Sequence, residues 1–215
     1  MSADAPAPRQ PRRGRPRGTS ARELEVIALK LFAEQGFDET TVEQIAAAAG
    51  ITRRTFFRYY GSKADVLWNE FDHEVETIRV LLAATPDGLP VLEAVRRAVL
   101  EANHYSAADV PELRMRMSLL STVPDLAASA TIHYDAWERA IAHFVGRRTG
   151  QPTESLYPLA VGRSVLATCR AAYERWSARA DADLVVYLDA ALRALAAGFT
   201  DAVLTTEPDP PSSGN

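Results

Sequence analysis

The sequence contains little cysteine and no long apolar run. Cys169 is the one cysteine among 215 residues, so no disulfide can form within the chain, which is typical of a reducing cytoplasm. No segment approaches the roughly 20 consecutive apolar residues that a membrane-spanning helix needs. The N-terminal segment lacks the apolar core of a secretory signal. We therefore expect a soluble cytoplasmic protein, associated with the nucleoid if it binds DNA and not with a membrane.

Motifs that carry catalysis or hold a cofactor are also lacking. The sequence has no Gly-x-Ser-x-Gly turn, no phosphate-binding loop and no dinucleotide fingerprint. Its four histidines show no zinc-ligand spacing. Cys169 lies in an apolar helical stretch, where a buried and unreactive thiol is expected. The sequence therefore predicts no enzymatic activity, no metal site and no cofactor.

Charge is unevenly distributed along the chain. Residues 1–63 carry 11 Lys and Arg against 7 Asp and Glu, a net charge of +4, whereas residues 64–215 carry 13 against 21, a net charge of −8. A polyanion would be attracted by the first part and repelled by the second. The distribution therefore suggests that a polyanion such as DNA binds the N-terminal part alone.

Both ends of the chain have compositions that do not form a packed core. Residues 1–18 contain four prolines, two glycines and five arginines, and we expect them to form a disordered basic arm. Residues 207–215 contain three prolines and are expected to form a disordered tail. Between these ends, apolar residues recur at helical spacing and no convincing β-strand is found. The sequence therefore predicts an all-α fold.

The helical pattern divides into a small head and a longer body. Residues 19–65 should form a head of three helices, the first of which begins at a Ser20–Glu23 capping box and ends at Gly36. Residues 66–206 should form a body of about six helices, for dimerisation and ligand binding. After a long fourth helix, further helices are expected near residues 90–105, 111–122, 124–148, 154–178 and 183–204.

The second and third helices of the head predict a helix-turn-helix. They are short and joined by a tight turn at Gly50, and such a motif places its second helix in the major groove of DNA. Phe56 and Tyr60 should face the core, so the opposite face is polar. Arginine can bond guanine there through two atoms, whereas the alternative is an ordinary solvated face. The residues expected to face DNA are Thr52, Arg53, Arg54, Thr55, Arg58 and Tyr59.

Other residues near the head suit contacts with phosphate groups. Thr41, Thr52 and Lys63 lie at predicted helix starts, where hydroxyl groups, backbone N–H groups and positive charge favour phosphate. Arg15 and Arg17 belong to a Gly-Arg-Pro-Arg segment that could enter the minor groove, because a narrow groove concentrates negative potential. A solubilising tail is an equally good interpretation of this arm.

The same region resembles a known protein family. The segment from Ala28 to Lys63, with LFAEQGFDETTVEQIAAAAGITRRTFFRYYGSK, resembles the DNA-binding head of TetR-family regulators, because three patterns fall in register: Leu-Phe-Ala-Glu-x-Gly-Phe, Thr-Val-x-x-Ile-Ala and Tyr-x-Ser-Lys. It covers about a fifth of the chain. The resemblance implies an all-α homodimer with three helices in the head and about six in the body. It also implies a palindromic operator and, usually, repression that a small ligand relieves.

Two positions depart from the family pattern. The family often has Tyr where this chain has Phe57, so a phenolic contact with phosphate is missing. It often has Gly where this chain has Arg54, which adds a charge and alters sequence preference. By position, the resemblance implies base contacts by Arg53, Arg54 and Thr55 and phosphate contacts by Thr41, Tyr59 and Lys63.

A narrower resemblance concerns three segments: RRTFFRYYGSKADVLWNEFD, PELRMRMSLLSTVP and AAYERW. They are similar to regulators found in actinobacterial mycofactocin gene clusters. That subgroup is associated with long-chain acyl-CoA, so the resemblance implies an acyl-CoA as an effector candidate. No single motif in the sequence identifies a CoA site.

Large apolar side chains in the body suggest a pocket for an apolar molecule. Methionine adapts its shape to variable ligands, and burial contributes about 0.8 kcal/mol per methylene. Most such side chains belong to the ordinary core of a helical domain. Arg114 and Arg116 could pair with a nucleotide diphosphate, although surface charges are the more ordinary interpretation. The candidate pocket residues are Met115, Met117, Trp137 and Tyr173.

The last helix carries an apolar stripe that predicts a dimer interface. A stripe of this kind faces either the protein's own core or a partner helix, and sequence alone does not separate the two. Dimerisation is physically favourable because one short recognition helix reads only a few base pairs. The candidate interface residues are Leu188, Leu192, Leu195 and Phe199.

The long fourth helix, capped by Ser62 and Asp65, connects the head to the body. We expect a ligand in the body to shift this helix, so that the two heads of a dimer no longer match the spacing of the half-sites. The alternative function is a helical protein-interaction module with a basic arm and no effector. Binding to the chain's own upstream DNA would distinguish the two functions.

Overall fold

The chain folds as an array of α-helices. The computed structural model describes residues 20–179 and 182–198, which contain nine helices and no β-strand. The predicted all-α architecture, a three-helix head followed by a six-helix body, is therefore confirmed. The helices are α1 Ala21–Gln35, α2 Val42–Ala48, α3 Arg53–Tyr59, α4 Asp65–Ala83, α5 Val91–Ala102, α6 Val110–Thr122, α7 Pro124–Thr149, α8 Leu156–Arg179 and α9 Leu184–Ala196.

The predicted caps of α1 are present in the structure. The Ser20 hydroxyl oxygen accepts a hydrogen bond from the Glu23 backbone N–H at 3.1 Å, and the Ser20 N–H donates to the Glu23 carboxylate at 2.8 Å. Gly36 ends the helix with a φ of 92°, which favours glycine. Ser62 and Asp65 also exchange hydrogen bonds, but they form a turn that precedes α4, because that helix begins at Asp65 itself.

The last helix is shorter than predicted. Apolar spacing indicated a helix near residues 183–204, whereas α9 ends at Ala196 and Gly198 follows with a φ of 82°. The left-handed conformation of Gly198 stops the helix there. Apolar periodicity alone did not predict this helix end. None of the helices in the described ranges combines the length and the apolar character that crossing a bilayer requires.

The core of the head includes side chains from the body. Side chains of α1, α2 and α3 pack together with the first turn of α4, and Leu126 of α7 is buried among them. Four residues of the α6 end of the body pack against the same cluster: Met115, Leu119, Leu120 and Val123. The head is therefore seated on α6 and the start of α7, in addition to its covalent link through α4.

The body is built around the closely packed pair α7 and α8. Gly162 of α8 lies so near α7 that an added Cβ would be 2.6 Å from the carbonyl oxygen of Glu138. Any larger residue at position 162 would therefore push the two helices apart. α4, α5 and α9 pack around this pair and complete a large apolar core.

The structure corrects the interpretation of the α9 stripe. Leu188 and Leu192 are 0% and 4% exposed within the single chain, and they belong to the body core together with Leu184. Leu195 is partly buried against the same core, and Phe199 lies outside the described residues. Leu188 and Leu192 therefore face the chain's own core rather than a partner. A helix shows the same apolar period in either case, which is why its sequence pattern was ambiguous.

Candidate functional site

The helices α2 and α3 form a helix-turn-helix whose ends are capped by threonine. The Thr41 hydroxyl oxygen accepts the Gln44 backbone N–H at 3.2 Å, and the Thr52 hydroxyl oxygen accepts the Thr55 N–H at 3.1 Å. Gly50 adopts a φ of 65° in the turn between the helices. Both threonine hydroxyl groups that were predicted to bind phosphate therefore also cap the helices. Their phosphate contacts stay a prediction.

The recognition helix α3 is anchored by two aromatic side chains. Phe56 is completely buried, and Tyr60, directly after the helix, donates its hydroxyl proton to the Ala21 carbonyl at 2.8 Å. Burial is the main reason that the pKa of Tyr60 rises to about 12, so this donor stays protonated. Because this side of α3 faces the core, Arg54 and Arg58 project from the opposite, exposed side.

The three arginines of α3 differ in their local partners. Arg53 pairs with Glu43 of α2 at 2.7 Å and lies 4.9 Å from the centre of the Phe57 ring. Arg58 lies 5.2 Å from the centre of the Tyr59 ring. Arg54 is exposed, and its side chain makes no hydrogen bond or ion pair with any of the described residues. Of the three arginines, Arg54 would therefore lose the fewest existing contacts when it binds a base edge.

The Arg53–Glu43 ion pair was not predicted from the sequence. The two residues are on different helices, ten positions apart, so the spacing rules for pairs within one helix do not detect them. A carboxylate on this surface would repel phosphate if it were unpaired. Its partner Arg53 neutralises it and is held in place in return.

Lys63 has a structural role in the head. Its ammonium group donates to the carbonyl oxygens of Phe37 and Thr40 at 2.6 and 3.0 Å, and to that of Asp38 at 3.2 Å. It also lies 4.3 Å from the centre of the Phe37 ring. A phosphate contact by Lys63 would compete with these three acceptors. Arg15 and Arg17 lie outside the described residues, so their contacts with DNA stay a prediction.

A cavity of about 640 Å³ lies in the body between α4, α6, α7 and α8. Three of the four predicted pocket residues, Met117, Trp137 and Tyr173, line it. The fourth, Met115, packs against the head core instead. Two residues of separation rotate a side chain by about 200° around a helix, so Met115 and Met117 point to opposite sides of α6. The other apolar lining residues include Leu67, Trp68, Phe71, Leu113 and Tyr134.

The wall of the cavity contains a hydrogen-bonded carboxyl group. Glu74 Oε1 accepts the side-chain N–H of Asn103 at 3.1 Å and that of Trp137 at 3.2 Å. The Tyr173 hydroxyl donates to the Asn103 side-chain oxygen. Burial raises the pKa of Glu74 to about 7, against the lowering effect of its two hydrogen bonds. Glu74 was missed in the sequence, although it lies on the apolar stripe of α4, three residues after Phe71.

A second charged group lies where the cavity meets the head. Arg116 of α6 is 3% exposed and forms ion pairs with Glu25 of α1, which is fully buried, and with Glu70 of α4. It also pairs with Glu112 at 3.1 Å. Arg116 and Glu70 both line the cavity. Arg116 is therefore not the surface charge that the sequence suggested. Two of its three carboxylate partners, Glu25 and Glu70, lie far away along the chain.

A further arginine extends this cluster. Arg22 of α1 contacts Glu112 of α6 at 2.5 and 3.0 Å. The three carboxylates Glu25, Glu70 and Glu112 are close enough to one another to suggest a metal site, but Arg116 pairs with all three. We name the group formed by Arg22, Glu25, Glu70, Glu112 and Arg116 the interdomain charge cluster. It joins α1 of the head to α4 and α6 of the body.

Arg114 does not reach the cavity. Its guanidinium group lies 5.0 Å from the centre of the Trp176 ring, and it is absent from the residues that line the cavity. The sequence suggested both Arg114 and Arg116 as possible partners of a nucleotide diphosphate. Like the two methionines of α6, these residues are two positions apart and point to different sides of the helix.

Comparison with known proteins links both parts of the chain to transcription regulators. Residues 27–67 match the family described as bacterial regulatory proteins, tetR family, and residues 89–200 match the MftR C-terminal domain. A Mycobacterium tuberculosis protein named as the mycofactocin biosynthesis transcriptional regulator MftR is 35% identical over 192 residues, or 89% of this chain and 97% of that protein. The HTH-type transcriptional regulator TcmR of Streptomyces glaucescens is 30% identical over 85% of this chain and 80% of its own length.

A solved structure supports the same relationship. The crystal structure of Thermus thermophilus FadR, described as a TetR family transcriptional repressor in complex with lauroyl-CoA, has a TM-score of 0.53 and 25% sequence identity. The similarity covers 91% of this chain and all of that one. These relatives are named as regulators of transcription rather than as enzymes.

Proposed function

The chain belongs to the TetR family of DNA-binding transcription regulators, and on that premise we propose that it is a ligand-released repressor. As a homodimer it binds a palindromic operator through α3 of each head. An apolar effector then enters the body cavity and lowers the affinity for DNA. The observation that carries the proposal is a recognition helix with a buried aromatic side and an exposed arginine side, in a head that is seated on a body with a ligand-sized cavity.

The DNA contact is assigned to the exposed side of α3. Phe56 and Tyr60 hold this helix in the head, so its arginines are presented without rearrangement of the core. Arg54 is the strongest candidate for a base contact because it has no competing partner among the described residues. Arg53 would keep its contact with Glu43 or exchange it for a base or a phosphate group.

Replacing Arg54 with alanine should reduce affinity for the operator by about 1–3 kcal/mol and relax discrimination at one base pair of each half-site. Fluorescence anisotropy with operator and point-mutated duplexes measures both effects. Arg97 is a matched control, because it is also exposed but lies on α5 of the body. If Arg54→Ala binds operator and mutated duplexes as the parent does, the base contact is wrong.

The dimer is proposed to use the outward faces of α8 and α9. The leucine stripe of α9 is occupied by the body core, so the interface requires other residues. The exposed side of α8 carries small side chains at Ala160 and Ser164, and Leu156 and Tyr157 are exposed at its start. Two copies joined along such a face would give the heads a constant separation.

The effector is proposed to act through the interdomain charge cluster. Arg116 and Glu70 face the cavity and also contact α1, because Arg116 pairs with Glu25 and Glu70 lies 3.5 Å from Arg22. A ligand that displaces either side chain therefore changes how the head is seated. The resulting change in DNA affinity is limited by the difference in ligand affinity between the two arrangements. A long-chain acyl-CoA is the effector candidate, since Thermus thermophilus FadR is described in complex with lauroyl-CoA.

Lauroyl-CoA should release the parent protein from its operator, whereas the Met117→Trp variant should resist release. Tryptophan at position 117 would occupy part of the cavity of about 640 Å³. Gel-shift titration with acyl-CoA measures the release. Ser118→Trp provides the control, because residue 118 is exposed on the neighbouring face of α6. Equal release of both variants would remove the cavity from the mechanism.

A further inference from the structure

Glu74 differs from Glu25 in having no cation among the groups that shift its pKa. Glu25 is also buried, but Arg116 pairs with it and Arg22 lies 3.5 Å away. Among the groups that shift the pKa of Glu74, the one charged residue is Glu70, which is itself negative. An ionised carboxyl group buried in this way is unfavourable unless a positive partner is supplied.

The second oxygen of Glu74 is available to a ligand. Both protein donors, Asn103 and Trp137, are bonded to Oε1, and no hydrogen bond to Oε2 is formed by the described residues. Glu74 is surrounded by protein but retains some exposed surface, and it lines the cavity. Oε2 is therefore the atom through which this side chain can bind something inside the cavity.

Two cations line the cavity, Arg116 and Arg170, and neither is among the groups that shift the pKa of Glu74. The Arg170 guanidinium group lies 4.8 Å from the centre of the Tyr134 ring. Asn103, Trp137, Cys169 and Tyr173 are uncharged groups on the surrounding elements, and burial keeps the pKa of the Cys169 thiol far above its usual value. Tyr105 follows α5 and is kept protonated in the same way, because burial raises its pKa. Arg116 lines the same cavity, but its ion pairs are with the interdomain charge cluster.

Aromatic rings surround the same space. The cavity is lined by six of them, and such faces attract cations through their negative quadrupole. Trp68, Phe71 and Tyr134 contact one another edge to face at centroid distances of 5.7 to 5.8 Å, so they form one wall. The six aromatic lining residues are Trp68, Phe71, Tyr105, Tyr134, Trp137 and Tyr173.

We propose that the inner part of this cavity binds the protonated amine of an otherwise apolar molecule, with the Glu74 carboxylate as its counter-ion. The inference rests on the proposed role of the cavity as the ligand site and adds the charge that the site selects. An apolar chain without an amine must leave Glu74 protonated. A ligand that places a carboxylate beside Glu74 is rejected by repulsion.

The test compares three molecules that share a ten-carbon chain and differ in charge: decylammonium, decanol and decanoate. Isothermal titration calorimetry with the full chain at about pH 8, above the raised pKa of Glu74, measures each dissociation constant. For the parent we expect decylammonium to bind at least about tenfold more tightly than decanol, and decanoate to bind most weakly. In Glu74→Gln the preference for decylammonium should fall to within about threefold of decanol.

The pH dependence of ligand affinity is an independent test of the role of Glu74. Between about pH 6 and pH 8 Glu74 changes from mostly neutral to mostly ionised, since its pKa is about 7. Affinity for decylammonium should rise over this interval, whereas affinity for decanol should fall. Both trends should disappear in Glu74→Gln.

Glu174→Gln is the matched control, because Glu174 is an exposed carboxylate of α8 that lines the same cavity. Retained binding of decanol shows that Glu74→Gln is folded.

The proposal is overturned if decylammonium binds no more tightly than decanol, or if both glutamine variants lose the preference equally. Failure of all three molecules to bind overturns the cavity as ligand site as well. Release of DNA by acyl-CoA together with the wrong order of decyl ligands overturns this inference alone.

Discussion

Replacing Arg116 with methionine is expected to lower the free energy of unfolding by about 3–5 kcal/mol, because it removes the main cation that pairs with a buried carboxylate. Glu25 is 0% exposed, and burial is already the largest influence on its pKa, which it raises. Arg116 is the main influence in the opposite direction. Methionine fills a similar volume, so the loss is electrostatic rather than a matter of packing.

Chemical denaturation followed by circular dichroism measures this loss of stability, and two further variants test its cause. Glu25→Gln/Arg116→Met removes both charges and should recover most of the lost stability. Arg97→Met removes an exposed arginine, which pairs with Glu93 on the surface of α5, and should cost less than about 1 kcal/mol. If Arg116→Met is no less stable than Arg97→Met, the interdomain charge cluster does not hold the head on the body.

Replacing Leu188 with alanine is expected to lower the free energy of unfolding by about 2–5 kcal/mol, since it leaves a cavity in the body core. Leu188 is fully buried within one chain, between α9 and the other helices of the body. The variant should therefore be destabilised even where the protein is too dilute to dimerise. Denaturation at several protein concentrations measures this dependence.

Ser164→Arg supplies the contrasting result. Ser164 is exposed on α8, so the arginine should leave the stability of one chain within about 0.5 kcal/mol of the parent. Analytical ultracentrifugation should show weaker dimerisation for Ser164→Arg. If Leu188→Ala instead dissociates the dimer and leaves each chain stable, the assignment of the α9 stripe to the core is wrong.

Much of the head was predictable because its signals are local. A capping box involves residues three apart, a left-handed glycine follows a helix, and two aromatic residues four apart share a helix face. Ser20 with Glu23, Gly36, and Phe56 with Tyr60 all behave accordingly in the structure. The exposed arginines of α3 follow from the same geometry.

The body was less predictable because its pairing is not local. Helical spacing places Met115 and Met117 on different sides of α6, but it does not say which side meets the cavity and which meets the head. The Arg116 side chain looked like a surface charge because its partners Glu25 and Glu70 lie far away along the chain. The contact between Arg53 and Glu43 crosses two helices and was missed for the same reason.

The amino-acid sequence alone determined the helical class, the caps of α1, the polar face of the recognition helix and the family. Each of these depends on residues within one or two helical turns, where backbone geometry dictates which side chains share a face. Tertiary structure alone decided that Leu188 is core, that Arg116 joins head to body, and that Glu74 faces a cavity while no cation shifts its pKa. These outcomes depend on which helix packs opposite each face, and a helical period does not specify its partner.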